Sequence, residues 1–221
     1  MTLGKGDEVV AYLKKPKMDD IEVLISTHPD ADHVGGLDEV LAAYKVEAVY
    51  APKVSHTTQA YKDFLSAVKR EKLTIKTAKA DIQVALKDKS IKAKLVGPIK
   101  EYGKTDLNNW SAVLHINYNK NNFLFTGDAE AQSEKDMVAK KYTSKGDVLK
   151  VGHHGSKDSS TQDFLNLAKP MYSIISVGAK NFYKHPITET QLRLQICENF
   201  VISFASTTTY CPSKRLLRFH F

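Results

Sequence analysis

The 221-residue chain has only two cysteines, Cys197 and Cys211, and no Cys-x-x-Cys pair. That excludes zinc-ribbon and thioredoxin-type sites, which need such pairs. The sequence leaves open whether these two cysteines pair. No apolar run approaches the roughly 20 residues that span a bilayer, so no transmembrane segment is expected. The stretch from Met1 to Asp7 lacks the apolar core of a signal peptide. Low-complexity segments and internal repeats are also absent. What is present is ordinary globular material, 42% hydrophobic and 26% charged, enough for one α/β domain with a substantial core. The net charge of +7 favours polyanionic partners, though it is spread as lysines along helices and not packed into one basic block.

The densest chemistry is His28-Pro-Asp30-Ala-Asp32-His33-Val-Gly-Gly. Two imidazoles and two carboxylates fall within six residues. Like charges at close range oppose each other's ionisation. A divalent cation reverses this by keeping carboxylates ionised and imidazoles neutral. Residues 28–36 therefore read as a metal-binding loop. The apolar, β-branched run Ile21–Ser26 predicts a buried strand before it, and the helical spacing of Leu37–Tyr44 predicts a helix after it. Open α/β sheets place ligands at such strand ends.

The rest of the chain repeats this arrangement. A short helix is predicted over 7–15, capped by Asp7. Val46–Tyr50 reads as a strand and residues 57–72 as a helix. Strand-like pieces follow at 73–77, 82–86 and 91–96, the last broken by Gly97-Pro98. A hairpin of 111–118 and 122–126 ends in Thr126-Gly127-Asp128. After a helix over 130–142, the strand 147–151 ends in Gly152-His153-His154-Gly155-Ser156. A helix over 161–168 and a strand over 171–177 lead to a loop carrying Asn181-Phe182-Tyr183-Lys184-His185-Pro186. Strand ends thus deliver Asp128, His153, His154 and His185 as well as the first cluster, and five of the eight histidines lie in these loops. Polar groups converging from several strand ends are the expected layout of an active site.

The ordered set His28-x-Asp30-x-Asp32-His33, Thr126-Gly127-Asp128, His153-His154-Gly155-Ser156 and His185-Pro186 resembles the metallo-β-lactamase superfamily. Within it the similarity is greatest to the extracytoplasmic domain of ComEC-type competence proteins and their free-standing relatives. The resemblance runs from about Gly6 to about Thr188. It implies an α/β (α+β) four-layer αββα sandwich with a metal site at one edge of the paired sheets. It also implies metal-dependent hydrolysis and, for the competence branch, degradation of one DNA strand during uptake in an extracytoplasmic or membrane-associated setting. Carried over by position, His28, Asp32 and His33 match the first-motif ligands. Asp30 stands where many members have histidine, Asp128 matches the bridging carboxylate, and His185 the late histidine ligand. His154 matches a second-shell or proton-donating histidine, with His153 as its rival. The segment Asn108-Asn109-Trp110-Ser111 lacks the histidine many members have there. The family's β-rich N-terminal segment has no counterpart, and residues after Thr190 lack its usual closing strands. The domain is therefore expected over 1–190, N-terminally truncated, with 191–221 as an atypical tail.

Independently of the family, two cations about 3.5–4 Å apart can share a carboxylate and stabilise a leaving oxygen. Asp128 is the expected bridge, unless it only caps the helix that follows. Oxygen-rich ligation with imidazoles suits Mn²⁺ as well as Zn²⁺. Catalysis is expected at Asp32, His154 and His153; the substrate that the resemblance implies is DNA, single-stranded. Phe182 and Tyr183 are open to two readings, base stacking or core packing. His56 and His115 are assigned to no site. Two other functions stay open: hydrolysis of a small ester or lactam, and a non-catalytic module binding nucleic acid or a partner.

Overall fold

Three separate apolar clusters divide the chain into layers. The computed structural model describes residues 5–142, 145–178, 181–196, 200–205 and 208–210. In the first cluster, Val10 and Leu13 of α1 (Gly6–Lys14), Val40 and Leu41 of α3 (Leu37–Ala43) and Phe64, Ala67 and Val68 of α4 (Gln59–Arg70) pack on Leu24, Val46 and Val49. Those last three residues belong to β1 (Asp20–Ile25) and β2 (Lys45–Ala51), which form a parallel three-stranded sheet with β3 (Ile75–Thr77) in the order β1-β2-β3.

The second cluster lies between two sheets. Val23, Ile25, Ala48 and Tyr50 meet Val84, Ala93, Leu95, Leu114 and Ile116 from β4 (Gln83–Val84), β5 (Ile91–Gly97) and β6 (Val113–Tyr118). Period-two alternation sends neighbouring side chains to opposite faces, so Val96 and Val113 join the third cluster with Leu124, Leu149 and Ile175. Against these pack Met137 of α5 (Ala131–Ala139), Phe164 and Leu165 of α6 (Gln162–Ala168) and Leu194 of α7 (Thr188–Ile196). Helix, sheet, sheet and helix thus give the αββα sandwich.

The larger sheet runs β11-β10-β9-β8-β7-β6-β5-β4, completed by β7 (Asn121–Phe125), β8 (Val148–Lys150), β9 (Tyr172–Ser176), β10 (Phe200–Ala205) and β11 (Thr208–Tyr210). Strands β4 to β7 pair antiparallel and β7 to β10 parallel. The smaller sheet covers the β4–β6 half of the inner face, while Phe125 and Tyr172 on β7 and β9 stay exposed.

Two local expectations change. Asp7 sits inside the first turn of α1, after the cap position Lys5, and makes no capping bond. Beyond Thr190, where the sequence suggests no closing strands, α7 is followed by β10 in parallel register with β9. Cys197 and Cys211 lie outside the described residues.

A buried carboxyl ties the outer helices together. Glu134 of α5 accepts the backbone N–H groups of Ser160 (2.6 Å) and Thr161 (2.8 Å) at the start of α6, where the Thr161 side chain makes no cap bond. Burial pushes this carboxyl up to about 7, against those two N–H groups and the nearby Arg193. Its contribution to stability is full below the ordinary value of 4.5 and is lost as pH rises through about 7. Glu134→Gln should remove that dependence. Denaturant titrations should show the parent losing about 2–3 kcal/mol relative to the variant between acidic and mildly alkaline pH; a pH-independent difference would contradict it.

Candidate metal centre

The site forms where four strands end. β1 leads through Thr27 to His28 and then to the one-turn helix α2 (Ala31–Val34), which begins after Asp30 and carries Asp32 and His33. β7 leads to Gly127 and Asp128, β8 to His153 and His154, and β9 to the loop holding His185. The sheets are joined at this edge by Ala112 N–H donating to Thr27 O at 2.8 Å.

One donor atom from each of Asp32, His33, Asp128 and His154 lies within 4.8 Å of all the others. His33 Nε2 is 3.1 Å from Asp128 Oδ2 and 3.7 Å from Asp32 Oδ2. His154 Nε2 is 3.3 Å from Asp32 Oδ2 and 3.4 Å from Asp128 Oδ2. The two Nε2 atoms are 3.3 Å apart. An ion bound at about 2.0–2.2 Å keeps its donors about 3.0–3.6 Å from one another, so the spacing suits a small divalent cation.

The back of each imidazole is already anchored. His154 Nδ1 lies 2.8 Å from Ser176 O, which makes it the N–H donor and leaves Nε2 as the nitrogen that can meet an ion once its own proton is lost. Thr27 Oγ1 meets Nδ1 of His33 at 3.1 Å and Nδ1 of His28 at 3.2 Å. Ser111 Oγ accepts the Asp128 N–H at 3.0 Å and lies 3.4 Å from His28 Nδ1. His28 Nε2 and Asp128 Oδ1 are buried without a hydrogen-bond partner, as is His185 Nδ1. Buried polar atoms are rarely left so, and these are the atom types that ligate metals.

The charged groups of the cluster shift one another against the cost of burial. Burial opposes the Asp128 carboxylate, yet His154 and His33 hold it well below its usual range. Asp32, also opposed by burial, is drawn down to about 2 by His154 and His33. The two facing imidazoles are shifted in opposite directions. Burial depresses His33; at His154 the carboxylates of Asp128 and Asp32 overcome burial and raise it to about 9.

Backbone strain fixes the His-His loop. His153 and His154 are consecutive non-glycine residues at φ 44° and 53°, a left-handed conformation costing about 1–3 kcal/mol each and typical of functional sites. Gly155 follows at φ 83°, where a Cβ would sit 2.6 Å from Pro186 Cβ. Helix α7 clamps the continuation: Thr190 Oγ1 donates to Ser156 O at 2.7 Å, and Arg193 Nη2 donates to Lys157 O at 2.8 Å and Ser159 O at 2.9 Å.

The eight residues expected from sequence come together at this edge. Imidazoles form a row: His28 to His33 at 4.1 Å between ring centroids, His33 to His154 at 5.3 Å, His154 to His153 at 6.3 Å and His153 to His185 at 5.7 Å. His154 stands inside the four-donor cluster, while His185, beside His153 and within the field of His154 and Asp128, is not one of the four. Asp30 Oδ2 lies 3.4 Å from His28 Nε2. Asp128 does not cap α5, whose cap position is Glu130. Three contributors were missed, Thr27, Ser111 and Glu130. Glu130 Oε1 lies 3.0 Å from His153 Nδ1 and accepts from Asn108 Nδ2 at 2.7 Å. Thr27 and Glu130 adjoin motif residues, so proximity was the available signal; Ser111 had only its place in the segment that lacks the usual histidine.

A sandwich of this layering with an Asp/His centre at its strand ends defines a metal-dependent hydrolase fold. The metallo-β-lactamase superfamily model matches residues 2–179, and the chain belongs to that superfamily. It is 31% identical over 182 residues to ComE operon protein 3 of Bacillus subtilis, covering 82% of this chain and 23% of that protein. It is 32% identical over 187 residues to Recombination protein 2 of Haemophilus influenzae, covering 85% and 21%. The chain therefore spans under a quarter of the length of these relatives. A metallo hydrolase from the archaeon Ignicoccus hospitalis superposes with a TM-score of 0.48 at 11% identity, over 88% of this chain and 80% of that one.

Metal uptake should displace the proton held at His154. Near neutral pH, adding Zn²⁺ or Mn²⁺ should release about one proton per chain, read with an indicator dye in weak buffer. Release should fade as pH passes about 9. Ion binding with no release near neutrality would place the ion elsewhere.

Proposed function

We propose that the chain is the catalytic part of a two-ion phosphodiesterase that degrades DNA, single-stranded, during DNA uptake. The observation that carries this is the four-donor cluster of Asp32, His33, Asp128 and His154 with its mutual span of 4.8 Å. These four residues would hold one divalent ion. His28, Asp30 and His185 would be the candidates to hold a second, together with Asp128, whose Oδ1 is buried without a hydrogen-bond partner. Support for DNA comes from the competence and recombination names of the relatives and from the net charge of +7.

Divalent ions of the Zn²⁺ or Mn²⁺ type supply Lewis acidity and a nucleophile from water at neutral pH. The chain's residues do the rest. Asp32, the most exposed of the four donors, leaves the cluster open on the solvent side, where a phosphate can approach. The nucleophilic oxygen adds to phosphorus and one P–O ester bond breaks. The departing alkoxide needs a proton, and His153 is the proposed donor. Burial works against its charge, but the ion pair with Glu130 and the field of Asp128 raise its affinity for a proton. His154, with Nδ1 on Ser176 and Nε2 toward the cluster, has no nitrogen left for this task once an ion is bound.

Hydrolysis of bis(p-nitrophenyl) phosphate and of DNA in Mn²⁺ or Zn²⁺ tests the reading. Asp128→Asn and Asp32→Ala should each cut turnover by at least about a hundred-fold, and excess chelator should abolish it. His153→Ala should lower turnover of DNA about a hundred-fold or more with less effect on the nitrophenyl ester, whose leaving group needs no proton. Full activity in chelator or in Asp128→Asn would overturn the mechanism.

A further inference from the structure

The loop between β9 and α7 presents two aromatic rings to solvent at the rim of the centre. Phe182 is 93% exposed and Tyr183 74%, so the core-packing reading of this pair fails. Single exposed apolar residues are unremarkable, but adjacent rings this bare beside a polar site carry a cost that invites a ligand.

The pair is held in place. Asn181 closes the loop on itself: its Oδ1 accepts the His185 N–H at 2.7 Å and its Nδ2 donates to His185 O at 2.7 Å. Ile187 N–H then donates to Gly155 O at 3.0 Å, fastening the loop to the His-His turn. The Tyr183 ring lies parallel to the His185 imidazole, 5.7 Å between centroids and 14° between planes. Phe182 stands at 86° to Tyr183 at 6.0 Å. Lys184 between them and His185 is exposed.

We infer that Phe182 and Tyr183 form a stacking subsite for an unpaired nucleobase, with Lys184 facing the phosphate backbone. The subsite continues the row His33–His154–His153–His185 outward by one ring. Three ring-to-ring steps of 5.7–6.3 Å connect Tyr183 to His154 of the cluster, so a strand whose phosphate lies at the cluster would bring a base along its length to the aromatic pair. Flat faces recognise any base and need it unstacked, which selects single strands over duplex. This deepens the phosphodiesterase reading and rests on it for the position of the phosphate, though not for the stacking itself.

Fluorescence anisotropy in chelator, which blocks turnover, separates the two. The parent should bind a labelled short oligothymidylate about ten-fold or more tighter than an abasic strand of equal length. Phe182→Ala/Tyr183→Ala should bring the two affinities together while keeping the thermal midpoint, since both rings are exposed. Phe182→Trp should retain the preference and show quenching of the new indole by the oligothymidylate. Equal affinity of the parent for base-bearing and abasic strands, or a preference that survives the double alanine variant, would overturn the inference. Failure of the parent to hydrolyse bis(p-nitrophenyl) phosphate with metal would instead count against the phosphodiesterase reading, leaving the stacking comparison to stand or fall by itself.

Discussion

Everything at this edge of the sandwich depends on the confrontation of His33 and His154 across Asp128. Two imidazole nitrogens 3.3 Å apart share one carboxylate that is buried with a free second oxygen. In water such a group would disperse. Here it is held by the three apolar clusters, which fix the ends of β1, β7 and β8, and by the backbone oxygen of Ser176 and the hydroxyl of Thr27. The energy that assembles the centre is hydrophobic burial elsewhere; within the centre, attraction between carboxylates and imidazoles works against the cost of burying them. Binding and folding are thereby linked, because ligands that favour the folded chain stabilise it by mass action.

The electrostatic cost is confined to a small volume. Salt bridges elsewhere are mostly surface pairs such as Lys87 with Asp20 and Glu47, worth little individually. Glu134 is a buried acid outside the site whose proton affinity burial raises, and it serves structure by capping α6. The site's carboxylates are drawn down by histidines, whereas Glu134 is pushed up by burial. That contrast separates a group arranged to stay charged beside a cation from one that tolerates a proton.

Much of this was legible in the sequence because the donors are clustered in motifs. Asp30, Asp32 and His33 sit within one helical turn of each other, and the strand-end position of Asp128 and of the His-His pair follows from simple apolar periodicity. The grouping of donors was not legible. Whether His154 or His185 joins the cluster depends on two consecutive left-handed residues, and backbone angles of that kind leave no pattern in composition. Thr27, Ser111 and Glu130 were missed because a hydroxyl or carboxylate becomes a support only through a contact set by tertiary packing. The strand and helix after Thr190 were obscured by a stretch with weak periodicity, in which Arg193 points inward to backbone carbonyls where a helix surface arginine would ordinarily meet water.

That inward arginine ties remote chain to the chemistry. Arg193 and Thr190 together donate hydrogen bonds to three carbonyls of the turn that follows the paired histidines. Drift in α7 is thus transmitted to imidazole orientation, which sets how well nitrogen lone pairs aim at an ion. Substitutions far from any donor can therefore weaken metal retention while the cores remain intact, so loss of the ion need not signal loss of the fold.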